Sequence, residues 1–127
     1  MESLTMHKNI ILIVTALLIL LSINSYADFK KTTRIPQFSN EEVNVWETII
    51  YPDKEQVLKM HRHDHNRVVI ALNSGLLKIT NNKGKVHYFK LEKDHAYYLA
   101  KDITDELHVD ENISHHPIKV LVIELKK

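Results

Sequence analysis

Short β-type segments separated by turn residues fill the chain from residue 43 onward. Branched and aromatic residues favour strands, and Pro-Asp, Asn-Ser-Gly and Asn-Asn-Lys-Gly runs between them indicate turns. No segment in this part of the chain has the period of an amphipathic helix. About eight short strands at such close spacing predict an all-β sandwich or barrel. The predicted strands cover residues 43–51, 57–63, 67–72, 76–80, 85–91, 96–99, 106–109 and 118–125.

The turns predicted between these strands have few glycines available to them. The chain has only 2 Gly, so Asn and Asp are expected at several tight positions, because they tolerate positive φ better than other residues. With 127 residues, no internal repeat and no linker, the chain predicts one folded domain.

The first 27 residues have the organisation of a signal peptide. His7 and Lys8 form a short basic region, an apolar run follows, and Ser25-Tyr26-Ala27 provides small residues for cleavage after Ala27. The alternative is an uncleaved anchor, but the apolar run over residues 10–23 is shorter than the roughly 20 residues that span a bilayer. We therefore expect an exported protein, periplasmic or secreted, without a stable membrane anchor. The expected organisation is a signal peptide over residues 1–27, an extended arm or edge segment over 28–42 and a β-domain over 43–127.

The charge balance excludes one class of partner. The 17 Lys and Arg residues nearly cancel the 16 Asp and Glu residues, and the two signs are interspersed, so no basic surface for nucleic acid is expected. Cysteine is absent, which excludes disulfides and thiolate metal sites.

Histidine is abundant and clustered. The chain has 9 His, and three of them, His61, His63 and His65, fall close together. Because side chains alternate along a strand, His61 and His63 are expected on one face. Neutral imidazole is a common ligand of divalent transition metals, but two ligands need a third from elsewhere in the fold.

The segment that begins at His61 resembles the first sequence motif of the cupin superfamily. That motif runs His-x-His, a short spacer, Glu, six residues and Gly. His61 and His63 match its two histidines, Gly75 matches its glycine at a spacing of seven, and Arg67 stands in the position of its glutamate.

A later segment resembles the second cupin motif. His108 and Asn112 match its His-x-x-x-Asn end, while its Gly, Pro and Gly positions hold Asp94, Ala100 and Asp102. The resemblance covers roughly residues 43–125. It implies a single small cupin-type β-barrel, a double-stranded β-helix or jelly roll. It also implies one Fe, Mn, Ni, Zn or Cu ion held inside by His61, His63 and His108.

Arg67 is the departure that bears most on the metal. A guanidinium only donates hydrogen bonds and stays protonated, so it cannot be a ligand. His65 or Asp64 could supply an extra ligand if the strand bends after His63. Alternatively, three histidines could bind the ion with open positions, leaving Arg67 to clamp a carboxylate or phosphate. A third interpretation is a polar pocket without metal. Asn112 joins His65 and Arg67 as a candidate pocket residue.

Three functions fit this sequence, because the cupin fold hosts all of them. The first is a metal-dependent enzyme that acts on a small molecule, with oxidation or isomerisation as chemistry typical of the superfamily. The second is a pocket that binds a small ligand or an anion without catalysis. The third is an interaction module that forms a homodimer through its outer strands.

Overall fold

A computed structural model describes residues 4, 6, 7 and 9 and residues 30–127. The four N-terminal residues are helical, and almost all of the predicted signal peptide, with its cleavage site, lies outside the described residues. The chain divides into two compact units, residues 1–30 and 31–127. No helix within the described residues is both long and apolar enough to cross a bilayer.

Residues 31–127 form nine β-strands and one 3-10 turn, Lys54–Gln56. The strands are β1 (Thr33–Ser39), β2 (Val43–Ile50), β3 (Leu58–His61), β4 (Arg67–Ala71), β5 (Gly75–Asn81), β6 (Val86–Leu91), β7 (Ala96–Leu99), β8 (His108–Asn112) and β9 (Ile118–Leu125). They form two antiparallel sheets, one in the order β1-β2-β9-β4-β7 and the other in the order β3-β8-β5-β6. The all-β prediction is confirmed.

Several strands differ in extent from the sequence-based expectation. Residues 33–39 of the expected N-terminal arm form β1, which pairs with β2 at the edge of the five-stranded sheet. Strand β3 ends at His61, so His63 lies in the loop that follows it. Strand β8 begins at His108 rather than at residue 106 and continues to Asn112. Strands β7 and β9 have the predicted bounds.

Aspartate fills two of the tight turn positions, as the scarcity of glycine predicted. Asp94 and Asp105 have φ of 65° and 68°, and Gly84 has φ of 78°. The hairpin between β5 and β6 closes with Asn81 N donating to Lys85 O at 2.9 Å. The side-chain Oδ1 of Asn81 also accepts from two backbone N–H groups in this turn.

The core lies between the sheets and follows the period of the strands. Along β4, the buried residues alternate with half-buried ones, and Val69 and Ala71 pack inward with Trp46, Val120 and other apolar residues. Residues i and i+2 of a strand share a face. The same alternation therefore carries the charged side chain of Arg67 into the interior, where it is 7 % exposed.

Candidate metal centre

Two of the predicted ligands are a cross-strand pair. Strands β3 and β8 are antiparallel neighbours, and their register places His61 directly opposite His108. Opposed side chains on one face of an antiparallel pair are in contact, and the centroids of these two rings are 4.4 Å apart.

His63 reaches the same place from a loop. Its backbone N–H donates to Oδ2 of Asp102 at 2.6 Å, and its carbonyl accepts from the N–H of Asp102 at 2.9 Å. Residues 62–66 connect β3 to β4, and residues 100–107 connect β7 to β8. These reciprocal bonds therefore tie together two loops that each cross between the sheets. They hold His63 so that its ring centroid lies 5.0 Å from the ring centroid of His61 and 5.5 Å from that of His108.

The three histidines form one cluster. Each offers a ring nitrogen within 4.8 Å of the other two. Some point therefore lies within about 2.8 Å of all three nitrogens, so shifts of less than about 1 Å would bring each to a Zn–N bond length of about 2.0–2.1 Å. The structure thus brings together the three residues that the resemblance implies as ligands.

Oxygen atoms lie close to Nδ1 of two of the rings. Nδ1 of His61 donates to the carbonyl of Lys59 at 2.6 Å, and Nδ1 of His108 lies 3.4 Å from Oδ2 of Asp102. A carbonyl or carboxylate that accepts from Nδ1 directs the Nε2 lone pair of a neutral imidazole outward, as is usual for metal-binding histidines. Asp102 is thus a supporting residue that the sequence analysis did not identify.

Asp110 is the second residue that the sequence analysis missed. It lies two positions after His108 on β8, hence on the same face, and is 9 % exposed. Its Oδ2 is 3.6 Å from Nε2 of His61, and its Oδ1 is 3.7 Å from Nε2 of His108. The spacing His-x-Asp on a strand was the available signal, because it predicts a shared face.

The buried polar atoms of this cluster fit a cation. Nε2 of His61 and Oδ1 of Asp110 are the buried side-chain atoms without a hydrogen-bond partner among the described residues. An unpaired buried polar atom is costly, and these two lie on residues whose side chains approach each other. Imidazole nitrogens with one carboxylate are a donor set that Zn, Fe, Mn, Ni and Cu accept.

Arg67 is buried beside the cluster but is turned toward the 100–107 loop. Its Nη1 donates to the carbonyl of Ala100 at 3.2 Å, and its Nη2 lies 3.8 Å from Oδ1 of Asp102. Only one of its five donors therefore has a hydrogen bond among the described residues, and the guanidinium keeps donors for a ligand.

Burial and the nearby cations favour neutral imidazoles. Burial lowers the pKa of His63 to about 2, and the positive charge of Arg67 acts in the same direction. Burial also lowers the pKa of His108, against the opposing effect of Asp110. Metal ligation requires deprotonated imidazole, so these two rings are already in the binding form at neutral pH.

Two of the suggested additional ligands lie elsewhere. His65 is exposed and does not belong to the cluster, and Asp64 is exposed and paired with Arg62 at 2.7 Å. Because β3 ends at His61 and the chain turns toward the 100–107 loop, neither side chain faces the interior.

Asn112 serves the fold rather than the pocket. Its Nδ2 donates to the carbonyls of Ile50 and His116, both at 2.8 Å, and its Oδ1 accepts from the N–H of Ser114. These bonds occupy the amide, so Asn112 is not free to act as a ligand.

Two adjoining cavities meet at the cluster, and a third, of about 480 Å³, lies against His61. The inner one has a volume of about 80 Å³ and is lined by the three histidines, Asp110 and apolar core residues. The outer one has a volume of about 520 Å³. Arg67 and His108 line both cavities, so the outer cavity leads to the histidine cluster.

Solved structures share this arrangement of strands. A cupin domain from Bordetella pertussis Tohama I superposes with a TM-score of 0.63 and 26 % identity, covering 78 % of this chain and 99 % of that one. The fold is the cupin fold. An RmlC-like cupin family protein from Methanocaldococcus jannaschii, with a double-stranded β-helix, superposes with a TM-score of 0.57 and 14 % identity over 78 % of this chain and 84 % of that one.

A third cupin-fold neighbour comes from a eukaryote. The cupin domain of Schizosaccharomyces pombe Cnp3 superposes with a TM-score of 0.57 and 13 % identity, over 83 % of this chain and 72 % of that one. No family model and no curated protein matches the sequence. The cupin assignment therefore rests on the shape of the barrel and on the histidine positions, and the predicted cupin fold is confirmed.

Proposed function

We propose that this protein is a member of the cupin superfamily that binds one divalent transition metal ion inside its barrel. His61, His63 and His108 are the ligands, and Asp110 supplies the carboxylate that the position of Arg67 lacks. The observation that carries the proposal is the convergence of three ring nitrogens within 4.8 Å, from two strands and a loop, beside two buried polar atoms without partners among the described residues.

The neighbours of the ion define what the site can do. An ion held by these residues would supply Lewis-acid or redox chemistry. Arg67 lies beside it with unused donors, and it orients a small anionic molecule bidentately, as guanidinium groups do with carboxylates and phosphates. Asp102 holds the ring of His108 and the backbone of His63 in place. Catalysis by oxidation or isomerisation, which the cupin resemblance implies, stays a prediction.

Elemental analysis of the purified protein, prepared without a polyhistidine tag, tests the metal site. We expect about one equivalent of a transition metal, and we expect H61A and H108A each to abolish it while circular dichroism shows the fold intact. His115 is exposed and lies outside the cluster, so H115A is the matched control and should keep the metal. A folded wild-type protein that takes up no added Zn²⁺ would overturn the proposal and leave ligand binding by Arg67 as the function.

We also propose that the protein is exported. The proposal is supported by the basic, apolar and small-residue order of residues 1–27. Intact mass and N-terminal sequencing of the native protein should show a chain that begins at Asp28. A mature chain that retains Met1 together with the apolar run would contradict cleavage.

A further inference from the structure

The outer cavity lies where the two sheets part. Strands β6 and β7 are the edge strands of the two sheets, and both contribute to the cavity wall. Phe89 of β6 meets Tyr97 of β7 edge-on, with ring centroids 5.0 Å apart. The cavity is therefore a slot between sheet edges, lined by Phe89 of this aromatic pair and bordered by the 100–107 loop.

The volumes of the two cavities assign them different contents. A water molecule takes about 30 Å³ in the liquid, so the inner cavity of about 80 Å³ has room for an ion and a water or two. The outer cavity of about 520 Å³ lies within the roughly 300–1,000 Å³ of small-molecule sites. Of these two cavities, only the outer one has room for an organic ligand.

Aromatic side chains line the outer cavity without being buried by the fold. Tyr88 and Tyr98 are 62 % and 63 % exposed, and Ile103 on the bordering loop is 72 % exposed. Three large side chains of partly apolar character thus face one cavity while largely in contact with solvent. A planar aromatic ligand would cover them, and aromatic pairs gain more than their buried area alone provides.

The charges around the outer cavity favour an anion. Lys85, Lys101 and Arg67 line it, together with Asp102 and Glu106. Asp102 lies 3.8 Å from Arg67, so these two charges offset each other. Glu106 accepts only from the neutral amide of Asn81 and can offset no more than one of the two lysines. Within residues 30–127, neither lysine makes an ion pair. The unmatched charge in the cavity is therefore positive.

We infer that the outer cavity binds a small aromatic carboxylate, with its ring against the tyrosines and its carboxylate held by Lys85, Lys101 and Arg67. The inference extends the proposed function by naming the ligand class that is placed beside the histidine cluster. Binding to this cavity needs no ion, so the two proposals can fail separately.

Isothermal titration calorimetry with benzoate tests the inference, on protein treated with a chelator and on protein loaded with Zn²⁺. Benzoate should bind both forms. Benzamide, which lacks the charge, and cyclohexanecarboxylate, which lacks the aromatic face, should bind at least about threefold more weakly. We expect Y98A to weaken benzoate binding about tenfold and K85A about threefold.

Matched controls lie on the same kinds of element. Phe38 is 58 % exposed on edge strand β1 and Lys83 is exposed in the β5–β6 turn, but neither lines the outer cavity, so F38A and K83A should bind benzoate like the wild type. The inference is overturned if benzoate fails to bind the chelated protein, if benzamide binds equally well, or if Y98A binds like F38A. Protein that binds Zn²⁺ but not benzoate would overturn this inference alone. Binding of benzoate without Zn²⁺ uptake would overturn only the metal site.

Discussion

At the scale of single residues, the position of Arg67 changes the chemistry of the site. Strand alternation places this side chain inside the barrel, in the position where the first cupin motif has glutamate. A cation there opposes a second cation, and the carboxylate is instead found on Asp110 of β8, between His61 and His108. In the proposed metal site, Asp110 therefore supplies the carboxylate, and Arg67 supplies donors for an anion.

The first prediction at this scale concerns Asp110. D110N keeps the shape of the side chain but removes the negative charge, so we expect it to weaken Zn²⁺ binding at least about tenfold, since even indirect partners of a metal cost that much. Competition with a chromophoric chelator measures the affinity. Asp64 is exposed, and D64N should leave the affinity unchanged. Equal affinities for D110N and the wild type would exclude Asp110 as a ligand.

The second prediction concerns the pH dependence of stability without metal. The pKa of His63 is lowered to about 2 in the folded chain, against about 6.5 in an unfolded one. The unfolded state therefore binds more protons between these values, and the stability that neutral His63 contributes is lost as pH falls below about 6.5. Urea unfolding of the chelated protein should show lower midpoints at pH 5 than at pH 7.

The effect of His63 on this pH dependence can be separated from the effects of neighbouring groups by substituting it. Burial raises the pKa of Asp110, which acts in the opposite direction by favouring the folded state at low pH. Four neighbouring groups also lower the pKa of His63 through their positive charge, namely Arg67, Arg34, His61 and His108. The wild type and the H63Q variant share all four. H63Q should therefore have a shallower decline from pH 7 to pH 5 than the wild type. A decline of the same steepness would contradict the role given to His63.

At the scale of elements, Gly75 shows how closely the two sheets approach at the start of β5. A Cβ at this position would lie 2.4 Å from Cγ1 and 2.6 Å from Cδ1 of Ile118 on β9, which is fully buried. The glycine that the first cupin motif implied is thus required by close packing between strands of different sheets, not by a positive φ.

We expect G75A to lower the free energy of unfolding by about 1–3 kcal/mol, the usual cost of overpacking a core. Denaturant unfolding measures it. I118A removes both Cγ1 and Cδ1, the atoms that the new methyl group meets, so G75A and I118A together should cost less than the sum of the single changes. Additive losses would mean that the clash with Ile118 is not the cause.

Asn112 has a comparable role at the end of β8. Its amide joins the end of β2 to the turn before β9 through Ile50, His116 and Ser114. N112A leaves these buried groups unpaired, and we expect a loss of about 2–4 kcal/mol in the free energy of unfolding. Zn²⁺ affinity of the folded variant should be unchanged, and a selective loss of affinity would return Asn112 to the site.

At the scale of the whole molecule, the cluster joins parts of the chain that are distant in sequence. Two of the histidines lie on the four-stranded sheet, one lies in a loop between the sheets, and Asp102 fastens that loop to another. An ion that binds only this assembled form stabilises it by mass action.

The predicted homodimer is a separate property, and light scattering of the purified protein measures it.

Zn²⁺ in excess should therefore raise the melting temperature. At about 100 times the dissociation constant the gain is about 2.7 kcal/mol, which corresponds to roughly 10 °C or more for a domain of this size. Differential scanning calorimetry with and without Zn²⁺ measures the shift. H61A should show none, whereas H115A should shift like the wild type. An equal shift in H61A would place the stabilising ion elsewhere.

The sequence alone determined the local features of this protein. The spacing of branched residues and turn residues predicted the strands, the bounds of β7 and β9, and the use of aspartate in tight turns, because these depend on neighbours within a few residues. The same patterns, together with the cupin resemblance, indicated His61, His63 and His108.

Only the tertiary structure decided which other residues join them. The chain turns after His61, so His65 lies outside the cluster, and Asn112 is used in hydrogen bonds to the backbone. Asp110 and Asp102 approach the histidines instead. All of this depends on strand register and on loops that cross between the sheets. Register is set by the packing of the whole barrel. Contacts between residues some forty positions apart in the chain are therefore not readable from local pattern.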